Sequence, residues 1–230
     1  MLGDKSILRN KNHNIIFRFW LHIRKYFSKF SRPRLNEEIH RNLDEIDFTL
    51  FSNNCLGGVF YHDAGRQFTS PTVNLAFDGE DFIKFLENPF KYYKKEFNFL
   101  KFEGHNYPIA KIEDIEVRFV HYKTEQECIE KWNRRFERIN RDNVFVVATD
   151  VDGMYQPQWL ERFDKLPYKN KIMFVAQEHP EYEWAIPVRQ FKKHHCVHIL
   201  TDFANLRGER YYETAFNIAK WIRDNSVKSA

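Results

Sequence analysis

A cysteine stands where a short apolar run gives way to a glycine-containing segment. Residues 48–51 predict a buried strand, and residues 54–58, Asn-Cys-Leu-Gly-Gly, lead into the predicted first turns of a helix. A cysteine at a helix N-terminus has its thiolate stabilised by the helix dipole, which can lower its pKa below about 8.5. Cys55 is therefore a candidate nucleophile. The alternative is that Cys55 is a small apolar residue at a strand end and that the glycines serve packing.

The residues around Cys55 add groups that would contact a substrate. We expect these to be Ser52, Asn53 and Asn54 on the strand side and the backbone N–H groups of Gly57 and Gly58 on the helix side. Such N–H groups can hold an oxyanion, and glycine lets a substrate approach the backbone closely. The nucleophile also needs a base, which would be one of the histidines His62, His121, His194, His195 and His198.

Two carboxylates, Asp150 and Asp152, directly follow a continuous apolar run at residues 144–149. Carboxylates separated by one residue can share a divalent metal, and nucleotide-sugar glycosyltransferases hold a metal and a diphosphate with a similar short acidic signature. A metal site at Asp150 and Asp152 is therefore a second hypothesis. The alternative is that these residues form a turn or cap a helix, as Asp after a strand often does.

Two further groups of residues have side chains that could bind a metal or an anion. His194, His195, Cys196 and His198 are metal-type ligands, but no second cysteine pair completes a four-ligand zinc site, so a packed or solvated cluster is preferred. Arg134 and Arg135, on a predicted helix at residues 125–139, would clamp a phosphate or a carboxylate of a substrate. The alternative is that these arginines form ordinary surface salt bridges with glutamates that lie near them at helical spacing.

The composition limits the class of protein. The 230 residues are 43% hydrophobic and 30% charged, which excludes a disordered chain and predicts a buried core. The three cysteines are far apart, so we expect no disulfide framework and a cytoplasmic location. The sequence contains no phosphate-loop pattern, serine nucleophile elbow or dinucleotide fingerprint.

The formal net charge of +4 is distributed unevenly. Residues 1–36 contain nine Lys or Arg and one acid, for a charge of +8, so the remaining residues carry −4. The basic character therefore belongs to an N-terminal arm, and we expect no nucleic-acid partner.

An amphipathic helix is predicted within this arm. Apolar residues recur every four positions at Ile15, Phe19, Ile23 and Phe27. Basic residues recur every three or four positions at Arg18, His22, Lys25 and Lys29. The helix is too charged to cross a bilayer. Its apolar face would pack on the domain or on a second copy in a homodimer, or it would make peripheral contact with an anionic membrane through residues 15–30.

Strand and helix patterns alternate along the rest of the chain. We predict strands within residues 48–51, 73–77, 97–120, 143–149, 171–176, 184–188 and 197–200. The predicted helices lie within residues 37–47, 78–87, 125–139, 157–166 and 209–223. This alternation predicts a Rossmann-like α/β fold of three layers, with a mostly parallel or mixed sheet and helices on both faces. We expect an arm at residues 1–46 and a single domain at residues 47–230.

Several blocks of the sequence carry a resemblance to a known family. They are residues 51–58 (Phe-Ser-Asn-Asn-Cys-Leu-Gly-Gly), 70–74 (Ser-Pro-Thr-Val-Asn), 121–122, 131–140 and 149–150. Together they resemble the bacterial domain of unknown function 1919, whose members are often labelled exopolysaccharide biosynthesis proteins. His121 lies in a matched block, and the resemblance therefore makes it the preferred base for Cys55. The Asn54-Cys55 turn is also similar to a turn in a family of capsular-polysaccharide acetyltransferases.

The residues and the resemblance together imply a carbohydrate acyltransferase with its site around Cys55. The donor would be an acyl-CoA, and the acceptor a saccharide or a lipid-linked saccharide at the inner membrane face. One alternative is a metal-dependent nucleotide-sugar glycosyltransferase that uses Asp150 and Asp152. The other is a binding or scaffold module without enzymatic activity.

Overall fold

The computed structural model describes residues 15–101 and 106–227. The helices are α1 (Ile15–Asn42), α2 (Leu56–Asp63), α3 (Gly79–Glu87), α4 (Glu125–Phe136), α5 (Pro157–Asp164), α6 (Tyr211–Ala215) and α7 (Ile218–Asn225). The strands are β1 (Thr49–Phe51), β2 (Asn98–Leu100), β3 (Ile109–Ile112), β4 (Ile115–Arg118), β5 (Val144–Thr149), β6 (Lys171–Val175) and β7 (Ala185–Pro187).

The strands form two sheets. Four strands in the order β1-β5-β6-β7 make a parallel sheet, in which Phe51 pairs with Val146 and Thr149 with Phe174. The other sheet is antiparallel, with the order β2-β3-β4, and a single bridge from Ala76 to Arg118 adjoins β4. The carboxyl ends of β1 and β5 therefore lie side by side at one edge of the parallel sheet.

Side chains alternate between two hydrophobic clusters along the parallel strands. Phe145 and Val147 of β5 belong to a cluster with α2, α6 and α7, whereas Val146 and Ala148 belong to a cluster with α3, α4, α5 and the antiparallel sheet. A period of two with both faces buried is expected for a central parallel strand. The predicted α/β fold, with helices on both faces of a mostly parallel sheet, is confirmed.

Helix α1 differs from the prediction. The sequence predicts an amphipathic helix within residues 15–30 and a separate helix within residues 37–47, but α1 is one helix of 28 residues that continues through Pro33. Proline removes one backbone hydrogen bond of a helix, and its ring crowds the preceding turn. Pro33 is exposed, and the side chain of the preceding Arg32 bonds to Asp63 and Glu213. Contacts with the domain therefore hold the helix beside the proline.

The C-terminal part contains two further differences. The predicted strand at residues 197–200 is a loop, and the predicted helix at residues 209–223 is divided into α6 and α7. The division occurs because the Asn217 side chain accepts a hydrogen bond from Lys220 N, which caps α7 and starts a new helix there.

The predicted strand at residues 73–77 is reduced to the bridge at Ala76.

Candidate functional site

Cys55 lies immediately beyond the carboxyl end of β1, at the N-cap of α2. Its side chain is half-buried, so the sulfur is not sealed inside the core. The carbonyl of Cys55 accepts the first hydrogen bond of the helix, from Val59 N at 3.0 Å. The predicted strand, turn and helix around Cys55 are confirmed.

The closest polar partner of the cysteine is a histidine that lies 66 residues further along the chain. The Cys55 Sγ atom is 3.1 Å from His121 Nε2, and His121 lies in an exposed turn after β4. No described residue bonds to the other ring nitrogen of His121. Cys55 and His121 therefore form a pair with the distance needed for proton transfer between a nucleophile and a base.

A buried hydrogen-bond network fixes the turn that carries His121. Tyr122 is buried and donates from its hydroxyl group to Val73 O at 3.1 Å. Arg135, also buried, donates to Val73 O at 3.0 Å and to the Tyr122 hydroxyl. Arg135 therefore serves to position Tyr122 and its neighbour His121. Arg134 points to solvent, so the two arginines do not form one anion clamp.

Asn53 and Asn54 connect the ends of β1 and β5. The amide of Asn53 donates to Thr149 O at 2.9 Å and accepts from Thr149 N at 3.0 Å. Asn54 donates to Thr149 Oγ1 at 2.6 Å and accepts from Leu56 N at 3.0 Å, which caps the first turn of α2. These two amides hold Cys55 in place, and the half-buried Asn54 is the nearer of the two to solvent.

The glycines of α2 allow close packing, as the alternative interpretation holds. A Cβ atom on Gly57 would lie 2.9 Å from Ser52 Cβ, and one on Gly58 would lie 2.1 Å from Asn74 Oδ1. The backbone N–H groups of both glycines have no hydrogen-bond partner within residues 15–101 and 106–227, nor has the buried Ser52 hydroxyl. Both glycines are buried, so the oxyanion role expected for N–H groups at a helix N-terminus stays a prediction.

The protonation state of Cys55 differs from the sequence expectation. Burial raises the pKa of the Cys55 thiol to about 11, and the hydrogen bond from its own backbone N–H only partly opposes this rise. The sulfur is therefore a neutral thiol at neutral pH, not a preformed thiolate. Such a thiol needs a base to take its proton as it attacks, and His121 Nε2 lies within reach.

Asp150 and Asp152 have other partners. The buried Asp150 carboxylate accepts from Ala176 N at 2.8 Å and from Val197 N at 2.7 Å, while burial raises its pKa to about 6. Asp152 lies 3.5 Å from the Arg118 guanidinium. In the part of the chain that the structure describes, no group of three or more His, Cys, Asp or Glu side chains could hold a metal ion. The metal site stays a prediction that these contacts do not favour.

The histidines near the C-terminus are packed together in a loop. His198 Nε2 lies 2.9 Å from His194 Nδ1, and the ring of His195 contacts Tyr155. Burial and the two neighbouring histidines lower the pKa of His198. Burial raises the pKa of the Cys196 thiol to about 11. This arrangement agrees with the packed cluster that the sequence favours over a zinc site.

Sequence reasoning missed three supporting residues. Thr149 joins both asparagines to β5, Tyr122 anchors the histidine turn, and Arg118 neutralises Asp152. Thr149 and Tyr122 lie in blocks that carry the family resemblance, which is the signal that could have identified them. Arg118 ends β4 in an alternating strand and gives no such signal.

Comparisons with known proteins agree with the sequence blocks. The model of the family described as a domain of unknown function, DUF1919, matches residues 26–223. An uncharacterized protein of Haemophilus influenzae is 35% identical over 200 residues, which cover 87% of this chain and 96% of that protein. None of the described helices is both long enough and apolar enough to span a membrane.

Proposed function

The chain belongs to the DUF1919 family, and from its own geometry we propose that it is an acyltransferase whose nucleophile is Cys55. The observation that carries this proposal is the 3.1 Å distance from Cys55 Sγ to His121 Nε2 at a helix N-terminus. A half-buried cysteine beside an exposed histidine and two free backbone N–H groups supplies a nucleophile, a base and an oxyanion site.

The first half-reaction forms a thioester. Cys55 Sγ attacks the acyl carbonyl carbon while its proton moves to His121 Nε2, because a thiol with a raised pKa is a poor nucleophile until it loses that proton. The negative charge on the carbonyl oxygen is stabilised by the N–H groups of Gly57 and Gly58. The intermediate expels the leaving group, which is the thiol of coenzyme A for an acyl-CoA donor and takes the proton from His121.

The second half-reaction transfers the acyl group to a hydroxyl group. His121 accepts the proton of the acceptor hydroxyl, whose oxygen attacks the thioester carbonyl. The carbon–sulfur bond breaks, and the Cys55 thiolate takes the proton back from His121. We propose a saccharide or lipid-linked saccharide at the cytoplasmic membrane face as the acceptor. The support for this acceptor is the resemblance to proteins labelled for exopolysaccharide biosynthesis.

Trapping the thioester tests the proposal. The protein is incubated without acceptor, first with acetyl-CoA and then with p-nitrophenyl acetate as a generic acyl donor, and its intact mass is measured. We expect one added acetyl group that maps to Cys55, is released by hydroxylamine and is absent in Cys55→Ala. Cys196→Ala is the matched control, because Cys196 is also half-buried and its pKa is raised to the same value, about 11. Labelling that persists in Cys55→Ala would contradict the proposal.

The alternatives make different predictions in the same assay. A glycosyltransferase that uses Asp150 and Asp152 would show manganese-dependent binding of a nucleotide sugar and no acetylation of Cys55. A binding module would show neither activity. The Asp150 carboxylate is buried and already accepts hydrogen bonds from two backbone N–H groups of the fold, which is why acyl transfer is preferred.

A further inference from the structure

The part of helix α1 before Pro33 is attached to the domain through polar side chains, whereas Ile39, further along, packs on the hydrophobic cluster of α2, α6 and α7. Its side chains donate hydrogen bonds to the segment at residues 204–211, namely Arg24 to Tyr211 Oη, Ser28 to Asn205 O, Ser31 to Leu206 O and Arg32 to Gly208 O. Gly208 permits this approach, since a Cβ atom there would lie 3.1 Å from Arg32 N. The side of an amphipathic helix that usually faces solvent therefore faces the domain.

The aromatic side of the same helix faces solvent. Tyr26, Phe27 and Phe30 are 60%, 52% and 69% exposed, whereas most large apolar side chains of the domain are buried. Leu206, whose carbonyl accepts from Ser31, is 47% exposed beside them. We call Tyr26, Phe27, Phe30 and Leu206 the aromatic patch. Phe27 and Phe30 of the predicted apolar face therefore do not pack on the domain, and contact with a second copy or with a membrane stays a prediction.

The charge around the aromatic patch identifies what covers it. Residues 15–34 contain six Lys or Arg and no acid, at positions 18, 24, 25, 29, 32 and 34. The chain beyond residue 36 carries −4, so a second copy presents a mildly acidic domain but an equally basic helix to this patch. Aromatic rings beside Lys and Arg on a helix that is too short and charged to span a bilayer are typical of binding to the interface of anionic lipids.

We propose that the aromatic patch of α1 binds the surface of an anionic lipid bilayer, with the helix lying in the plane of the interface. The rings enter the boundary between headgroups and acyl chains. Arg24 and Arg32 bond to the domain, so the lipid phosphates are contacted by the other basic residues of the helix. This proposal does not depend on the reaction at Cys55. It concerns a surface of α1, which Arg32 links to the C-terminal end of α2 at Asp63, whereas Cys55 is at the N-terminal end.

A buried ionic cluster holds the patch in a fixed orientation. Asp63, at the C-terminal end of α2, bonds to Arg32 of α1 at 2.8 Å and to Arg210 at 2.6 Å. Arg32 also bonds to Glu213 in α6. Since these groups are almost completely buried, α1 and the domain bind the bilayer as one body. The Cys55 end of α2 would then keep a constant position relative to the lipid surface.

Vesicle flotation with the full-length chain tests this proposal. The probes are vesicles of phosphatidylcholine alone and of phosphatidylcholine with about 30% phosphatidylglycerol. We expect binding to the anionic vesicles that weakens as NaCl rises from about 50 mM to about 500 mM. The triple variant Tyr26→Ser, Phe27→Ser, Phe30→Ser should lower the partition coefficient by about tenfold or more. The matched control is Leu100→Ser, Ile199→Ser, Val227→Ser, which removes three exposed apolar side chains elsewhere and should bind like the wild type.

Three results would overturn the proposal. In the first, the wild type stays unbound with both vesicle types. In the second, the aromatic triple variant binds as well as the control variant. In the third, sedimentation shows a dimer that the aromatic substitutions dissociate while vesicles capture nothing, which would assign the patch to a second copy of the chain. Circular dichroism of both triple variants verifies that they remain folded.

Discussion

The two ends of α2 use their polar groups in opposite ways. At the C-terminal end, Asp63 is buried and its carboxylate is bonded to two arginines from distant segments. At the N-terminal end, Cys55 is half-buried, has one partner on an exposed histidine, and is followed by two N–H groups without partners among the described residues. The C-terminal end holds the fold together, and the N-terminal end is where we propose that a substrate binds.

The same contrast in hydrogen bonding distinguishes the two site hypotheses, the metal site at Asp150 and Asp152 and the nucleophile at Cys55. Asp150 is buried and accepts hydrogen bonds from two backbone N–H groups, one of them in the loop at residue 197, whereas Cys55 Sγ has a single polar partner, His121, among the described residues. A buried polar group with all its bonds made is expensive to disturb, while a group with unused bonds is available for chemistry. Substitutions at the two ends of α2 should therefore change stability and reactivity separately.

The largest effect is expected at the C-terminal end of α2. Asp63→Leu leaves Arg32 and Arg210 buried without their carboxylate and should reduce the free energy of unfolding by about 3–5 kcal/mol in urea denaturation. Cys55→Ala should change it by less than about 1 kcal/mol, since the sulfur has a single partner. His62→Ala, an exposed neighbour of Asp63, is the control for Asp63→Leu. A loss at Cys55 as large as that at Asp63 would remove the distinction between the two ends.

A smaller loss of stability is expected from adding a side chain at Gly58, where α2 packs closely against Asn74. Gly58→Ala places a methyl group 2.1 Å from Asn74 Oδ1 and should cost about 1–3 kcal/mol. Asn74 has a positive φ of 62°, so Asn74→Gly both removes the side chain and suits the backbone. The double variant should recover most of the loss in thermal unfolding. If it were no more stable than Gly58→Ala alone, the Asn74 contact would not explain the glycine.

The reactivity of Cys55 toward a small alkylating reagent sharpens the comparison further. With its pKa raised to about 11, Cys55 has a thiolate fraction of roughly 10⁻⁴ at pH 7. Free cysteine has a thiolate fraction roughly 300-fold higher at that pH, but a more basic thiolate attacks faster, which offsets part of the difference. Iodoacetamide should therefore modify Cys55 about 20-fold more slowly than free cysteine, with a rate that still rises above pH 9. Mass spectrometry of the Cys128→Ser, Cys196→Ser protein gives this rate. A plateau between pH 6 and 7 would instead show a preformed thiolate–imidazolium pair.

The smallest effect is expected from a substitution in the hydrogen-bond network of Tyr122, the residue that follows His121. Tyr122→Phe removes the hydroxyl that Arg135 and Val73 share and should cost about 1 kcal/mol of stability. Because His121 is adjacent, we expect acetylation of Cys55 to slow by a few fold, with its dependence on pH unchanged. An acetylation rate equal to that of the wild type would show that the network supports the fold alone.

The sequence predicts those parts of the molecule that local patterns determine. The strand at residues 144–149, the helix after Asp78 and the turn at Cys55 follow from apolar runs, caps and glycines within a few residues. The pairing of Cys55 with His121 depended on a family resemblance, because spacing along the chain does not give distance. The metal hypothesis for Asp150 and the anion-clamp hypothesis for Arg135 did not include the burial of these side chains. That burial comes from distant segments: Val197, which bonds to Asp150, lies 47 residues away in the chain.

The orientation of α1 shows the same limit. The period of its apolar residues predicts an amphipathic helix but not which side meets the domain. That choice is made by Arg24 and Arg32, whose partners lie about 180 residues away at Tyr211, Gly208 and Glu213. Likewise, the raised pKa of Cys55 depends on burial by the folded chain, whereas the helix dipole that the sequence reveals predicts the opposite direction.

The most direct test of the central claim is the rate at which Cys55 becomes acetylated in the presence and absence of its histidine. Stopped-flow release of p-nitrophenolate from p-nitrophenyl acetate, measured in wild type and His121→Gln at pH 7, gives the first turnover. General-base assistance by His121 predicts a rate that is lower by about 10²–10⁴-fold in His121→Gln, with folding unchanged because the imidazole is exposed. Equal first-turnover rates in the two proteins would contradict the account.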